Sequence, residues 1–227
     1  MIIHKSPILL YKIIILISVI IGMFYIYYSL KKEKYKYKNI YLFFIMYIIF
    51  AFIFGKLYTA IILGKINFIE AGLSSYGGLI GVLIVAIIFE KIQPSNNKII
   101  KYTTLSLSLV YSGTKIACFF AGCCYGIPYN GIFSVIYVDG LNVPLLPIQM
   151  IEAITFILIF FVCNRFKKSK NIIYITLITT VLAKLVLDIF RYEHLSIIIT
   201  PNQYVSIALL IFILIIYIYN FTKSFKN

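Results

Sequence analysis

The 227-residue chain reads as an all-α polytopic membrane protein with seven transmembrane helices. Three observations predict this. Hydrophobic residues make up 62% of the chain, charged residues only 12%, and the mean hydropathy is +1.00. A soluble domain carries about 25% charged residues, so an ordinary soluble enzyme, a disordered chain and a coiled coil are all excluded. Apolar runs of about 20 residues, the length that crosses the hydrocarbon core, recur seven times. Lys and Arg collect at alternate junctions between those runs, as cytoplasmic anchors do. The net charge of +14 therefore does not indicate a nucleic-acid partner, because the basic residues form short clusters between spans rather than a folded basic face.

The spans run approximately 8–30, 39–62, 74–90, 101–122, 148–164, 171–190 and 203–221. The first is too long for a signal-peptide core and no small-x-small cleavage site follows it, so it reads as a retained helix. Segment 31–38 carries five Lys; Lys91, Lys98 and Lys101 follow span 3. Arg165, Lys167, Lys168 and Lys170 follow span 5, and Lys223 and Lys226 end the chain. The opposite side has Lys5, Lys65 and Arg191, with Lys12 at the start of span 1. This bias places the N-terminus outside and the C-terminus in the cytoplasm. Between spans 4 and 5, residues 123–147 hold one charge, Asp139. Their turn signals, Asn130-Gly131 and Asp139-Gly140, flank a β-like run from Ile132 to Val138, which predicts a small extracytoplasmic hairpin or lid. No internal repeat or second domain is visible, so residues 1–227 read as one membrane domain.

Six charged residues fall where lipid depth is expected: Lys56, Lys115, Glu152, Lys184, Asp188 and Arg191. Each costs at least ~2.5–3.5 kcal/mol on insertion scales, so such groups pair or line a polar cavity. Lys184, Asp188 and Arg191 have i, i+4, i+7 spacing and would share one helix face. Cations outnumber anions, which suits an anionic ligand such as a phosphate. Two other readings stand beside this one: Lys near a helix end snorkels to the interface, and Lys184 with Asp188 can be a purely structural pair.

Gly77 and Gly81 open span 3 with small-xxx-small spacing, which permits close helix packing. With Gly78 they also let backbone approach a ligand. Gly122 and Gly126 frame the end of span 4, an ordinary capping position. Cys118, Cys123 and Cys124 match no common zinc spacing. They read as small packing residues, and a Cys118–Cys123 disulfide has poor geometry at helical spacing. The only histidines, His4 and His194, lie outside the spans. No metal or organic cofactor is implied.

Four segments in order resemble the prolipoprotein diacylglyceryl transferase family. They are Tyr76-Gly-Gly-Leu-Ile-Gly81; Lys115 to Gly126 (KIACFFAGCCYG); Pro147-Ile-Gln149-Met-Ile-Glu152; and Lys184-Leu-Val-Leu-Asp188-Ile-Phe-Arg191. The resemblance covers about residues 50–210, and the Gly-Cys-Cys-Tyr-Gly form is similar to a divergent branch. It implies a bacterial cytoplasmic membrane enzyme that moves a diacylglyceryl group from phosphatidylglycerol to the lipobox cysteine of a prolipoprotein, releasing glycerol phosphate. The thiol then belongs to the substrate, and no catalytic Cys is required. The resemblance implies catalytic roles for Tyr76, Lys115, Lys184 and Arg191. It implies substrate contacts for Lys56, Gly77, Gly78, Gly81, Cys118, Gly122, Tyr125, Gly126, Gln149, Glu152 and Asp188.

Several positions differ from the family pattern. Lys56, Lys115 and Lys184 stand where arginines are usual, which keeps the charge but loses the bidentate fork. Tyr76 replaces a histidine, Cys118 an asparagine, Leu146 a histidine and Ile151 a tyrosine. These substitutions keep a second reading open, a non-catalytic paralogue that holds an anionic lipid or lipopeptide. A small transporter is a third, although the matched broken helices of transporter repeats are not visible.

Overall fold

A computed structural model describes residues 2–3, 8–62, 64, 72–138 and 140–226. His4, Lys5, Lys65 and Asp139 lie outside the described residues. Seven α-helices follow in order: α1 (Ile8–Lys32), α2 (Tyr37–Ile62), α3 (Ser75–Ile92), α4 (Lys98–Ala121), α5 (Ile148–Arg165), α6 (Ile172–Asp188) and α7 (Pro201–Lys226). Each coincides with one predicted span. Six of them are long and apolar enough to cross a membrane, and α6, at 17 residues, is the exception. The chain divides into two compact units, residues 1–16 with 112–227 and residues 17–111. They are described separately.

In the unit of residues 17–111, α2 and α3 pack closely because α3 presents glycines to α2. A Cβ added to Gly77 would sit 2.3 Å from the Tyr58 Cβ, and one added to Gly81 would sit 2.5 Å from the Phe50 carbonyl oxygen. Only glycine fits at such backbone separations. Gly78 is less crowded but still tight: an added Cβ would meet the Ala51 carbonyl oxygen at 3.3 Å. Ser74 caps α3: its hydroxyl accepts the Gly77 N–H at 3.3 Å, satisfying one of the orphan donors of the first turn. Phe43 of α2 meets Phe89 of α3 edge to face at 5.4 Å between ring centroids. The basic junctions are tied by two carboxylates. Glu33 accepts the Tyr102 hydroxyl at 2.8 Å and pairs with Lys98 at 3.0 Å. Glu90 accepts the Ser95 and Asn97 N–H groups.

α4 is the most enclosed helix. Of its most apolar 18-residue window, 72% is buried, against 11% for α1 and for α7. It is also the most polar, with Thr103, Thr104, Ser106, Ser108, Ser112 and Thr114 buried. A helix shielded by protein on most sides tolerates hydroxyls that lipid would reject. Other hydroxyls bond back into their own helices, such as Thr59 to the Gly55 carbonyl at 3.1 Å and Thr176 to the Ile172 carbonyl at 2.8 Å. This satisfies them without water.

In the unit of residues 1–16 and 112–227, α4 ends in a Schellman motif. Cys123 N–H donates to the Cys118 carbonyl at 3.2 Å and Gly122 N–H to the Phe119 carbonyl at 3.3 Å. Gly122 takes φ +58°, the left-handed conformation this motif needs. The lid that follows departs from a simple hairpin. The Ile132–Val138 run yields only β2 (Ile136–Tyr137), which pairs in parallel with β1 (Ile2–Ile3). Among the described residues of the lid, antiparallel contact is limited to single bridges, Val135 with Leu145 and Pro128 with Leu145 inside it and Gly126 with Arg191 beyond it. The physical reason is Leu145, fully buried with Phe119, Val135 and Tyr137 in a small core. Burying these side chains on the end of α4 competes with regular strand pairing. α7 starts with a capping box: Thr200 Oγ1 accepts the Gln203 N–H at 3.3 Å, and Gln203 Oε1 accepts the Thr200 N–H at 3.0 Å. Pro201 takes the first helical position, where its missing N–H costs nothing.

Candidate functional site

Four structural segments bring five charged side chains together inside the unit of residues 1–16 and 112–227. α4 supplies Lys115, α5 supplies Glu152, α6 supplies Lys184 and Asp188, and the chain just beyond α6 supplies Arg191. Glu152, at 0% exposure, is the centre. Its Oε2 lies 3.1 Å from Lys115 Nζ, and its Oε1 lies 3.6 Å from Lys184 Nζ and 2.9 Å from Arg191 Nη2. Asp188 Oδ1 pairs with Lys184 Nζ and lies 2.9 Å from Arg191 Nε. Asp188 Oδ2 accepts the Thr200 hydroxyl at 2.9 Å. No member of the group is more than 5% exposed in its side chain.

One expectation needs correcting. Arg191 does not share a helical face with Lys184 and Asp188, because α6 stops at Asp188. The chain turns extended at Arg191 (φ −87°, ψ 150°) and forms an antiparallel bridge with Gly126. Ile127 N–H donates to the Phe190 carbonyl and Tyr192 N–H to the Tyr125 carbonyl, each at 3.0 Å. The lid thus fixes the backbone that aims Arg191. Gly126 is required there, since an added Cβ would meet the Leu146 carbonyl oxygen at 2.3 Å.

Three cations against two carboxylates leave one positive charge in a water-poor site. Burying an ion costs several kcal/mol, offset only when partners and hydrogen bonds are well placed. The network satisfies each carboxylate and still carries the surplus that an anion would complete. Lysine binds phosphate as a point charge, whereas Arg191 adds a directed guanidinium.

The other predicted residues fall in two places. Gln149, fully buried, donates from Nε2 to the Cys123 carbonyl at 2.7 Å and so ties α5 to the end of α4. Tyr125 packs against Tyr137 at 5.1 Å between ring centroids. Tyr76, Lys56, Gly77, Gly78 and Gly81 belong to the unit of residues 17–111. There Tyr76 stands edge to face with Tyr58 at 5.7 Å, and Lys56 is partly buried on α2. Beside Gly77 opens an apolar groove of about 140 Å³, lined by Phe54, Leu57, Tyr58 and Ile61 among others.

Two features escaped the sequence reading. Thr200 joins the ion network through Asp188, and Gln203 holds Thr200 in place; their T-x-x-Q capping signature was the available signal. Cys118, Cys123 and Cys124, read as packing residues, place their sulfurs all within 4.8 Å of one another. None is in a disulfide. The Cys118 and Cys123 thiols hydrogen-bond Cys124 and hold its thiol well below the ordinary range, and the charges of Lys115 and Arg191 add to this. The signal here was Gly122. In a Schellman motif the residue just after the glycine contacts the one four before it, which are Cys123 and Cys118.

No curated relative matches the chain. The family model for prolipoprotein diacylglyceryl transferase matches residues 1–219, which include the three helices, the chain beyond α6 and the lid that frame the ion cluster, and the chain belongs to that family.

Proposed function

We propose that the protein transfers a diacylglyceryl group from phosphatidylglycerol to the lipobox cysteine of a prolipoprotein or peptide, releasing glycerol phosphate. The observation that carries this reading is the buried network of Lys115, Lys184 and Arg191 around Glu152 and Asp188, with one positive charge in excess. In the reaction a carbon–oxygen bond to phosphate breaks while the substrate sulfur bonds that carbon. Negative charge grows on the departing phosphate. Preorganised cations in a low-dielectric site stabilise such charge and cost little reorganisation. Lys115, Lys184 and Arg191 hold the phosphate, and Glu152 and Asp188 position them. Tyr76 orients the headgroup or helps take the thiol proton.

In this reading the whole chain is one seven-span domain in the bacterial cytoplasmic membrane, with the N-terminus outside and the C-terminus in the cytoplasm. α6 makes the seventh crossing. Its 17 residues reach about 26 Å at 1.5 Å per residue, and the lid and Arg191 complete the outer end. The lid at about 123–147 lies outside, where a secreted prolipoprotein arrives and lipid enters laterally.

The test mixes purified protein, phosphatidylglycerol and a lipobox peptide, with mass spectrometry for the diacylglyceryl thioether. A product that disappears in Lys115→Ala, with that variant folded, supports the reading. Absence of product from folded wild-type protein that retains phosphatidylglycerol sinks it and marks a lipid-binding paralogue.

A further inference from the structure

Cys118, Cys123 and Cys124 form a group that the charge network does not use. Their three sulfurs lie within 4.8 Å of one another, although the C-x4-C-C spacing belongs to no common zinc signature. Local backbone geometry explains the gathering. The Schellman motif sets Cys123 over Cys118, and Cys124, at φ +57°, turns the chain back so that its side chain joins them. A non-glycine residue with positive φ is uncommon, and here it brings in the third sulfur. Gln149 of α5 fixes the turn through the Cys123 carbonyl. Cys118 is buried, while Cys123 and Cys124 are partly exposed. Three tethered thiols, none in a disulfide and two of them partly exposed, have the composition of a ligand set.

We propose that these three cysteines bind a thiophilic divalent cation of the zinc class, with the fourth position left for the substrate thiol. Sulfurs about 2.3 Å from a tetrahedral zinc stand about 3.8 Å apart, so the group needs to close by about 1 Å at most. Lys115 stands one turn before Cys118 on α4. Among the described residues the group supplies three ligands, the number typical of catalytic sites with an open position.

The chemical role rests on the proposed transfer. A thiol that coordinates such an ion is deprotonated outright. The substrate cysteine would give its proton to water as its sulfur joins the ion. That sulfur then forms the carbon–sulfur bond while the carbon–oxygen bond to phosphate breaks, and the electron pair leaves on glycerol phosphate. No electrons are exchanged with an oxidant or reductant. The ion would thus activate the thiol beside the cations that receive the leaving group.

The experiment begins without lipid or peptide. Full-length protein in detergent is dialysed against metal-free buffer and titrated with Zn2+ and with Co2+, following thiolate-to-cobalt charge-transfer bands. The expected result is one ion per chain, with affinity reduced at least tenfold in Cys123→Ser and Cys124→Ser and unchanged in Cys163→Ser. Thermal melts establish that each variant is folded. Addition of a lipobox peptide should then shift the cobalt spectrum, and the same peptide with Ser at the lipobox position should not. Three titratable thiols with no stoichiometric ion, or a Cys118–Cys123 disulfide, overturns the site. Full transfer activity in chelated, metal-free protein overturns the thiol step and leaves the transferase reading standing. An ion bound with no transfer product leaves the site and removes the step together with that reading.

Discussion

Replacing Glu152 with Gln tests whether the carboxylate is the counter-ion that makes the buried cations tolerable. The substitution keeps shape and an acceptor for Arg191, so it removes charge and little else. Glu152 lies 3.1 Å from Lys115, 3.6 Å from Lys184 and 2.9 Å from Arg191. At an effective dielectric of about 20, each such contact is worth roughly 5 kcal/mol in Coulomb terms alone. Most of that offsets desolvation, and breaking a buried pair from one side costs about 3–5 kcal/mol in practice. Glu152→Gln is therefore expected to lower the melting temperature by roughly 6–20 °C at about 2–4 °C per kcal/mol for a chain of this length. The double variant Lys115→Met/Glu152→Gln returns the network to one positive charge. It should lose at least about 1 kcal/mol less than the sum of the single variants, as contacting residues do. High salt should not erase the effect, because buried pairs are weakly screened. A Glu152→Gln melt within 2 °C of wild type, or strict additivity in the double variant, would refute the counter-ion reasoning.

Gly77→Ala and Gly81→Ala should each destabilise by about 1–3 kcal/mol through overpacking, while Gly78→Ala, with its nearest neighbour at 3.3 Å, should cost less; melting temperatures rank the three. Thr200→Val removes both the cap of α7 and a donor to Asp188, so a loss of about 1–2 kcal/mol is expected together with reduced transferase turnover. The Tyr102 hydroxyl first, then Lys98 and Lys101, hold the Glu33 carboxyl below its usual value. A depressed carboxyl stabilises the fold above its unfolded value of about 4.5 and loses that contribution as pH falls through its folded value. Melts taken down through that window should show the acid-side loss in wild type and its absence in Glu33→Gln.

The helices were legible because their signals are long and redundant. Each span announces itself by some twenty apolar residues, and an error at either end changes nothing about its existence. The charged cluster was legible for the opposite reason: single residues such as Glu152 and Lys184 are conspicuous against an apolar background, since lipid depth punishes every unpaired charge. Neither signal reports how a helix stops. The run from Ile172 continues apolar past Asp188, and only the bridge between Gly126 and Arg191 shows that the chain leaves the helix there. That bridge joins residues 65 positions apart, which no local window can register. The lid failed for a related reason. Alternation in Ile132–Val138 predicts strand, but Leu145 and Phe119 draw Val135 and Tyr137 into a core instead.

The cysteines show why helix ends deserve separate reading in a membrane chain. Inside a span, five residues place two side chains on different faces, and that rule argued against a Cys118–Cys123 disulfide. At a Schellman terminus the same five residues are brought into contact, because Gly122 reverses the chain across the last turn. Lys115 lies one turn earlier on the same helix, so the end of α4 carries a buried cation and, just beyond it, a group of thiols, which in the proposed transfer would serve the leaving phosphate and the attacking sulfur. A reaction that joins sulfur to carbon while releasing phosphate needs both kinds of group within reach of one bond. Under the proposed transfer, Lys115 and Lys184 meet the phosphate as point charges without a directed fork, and a three-cysteine ion site would supply the activation of the thiol.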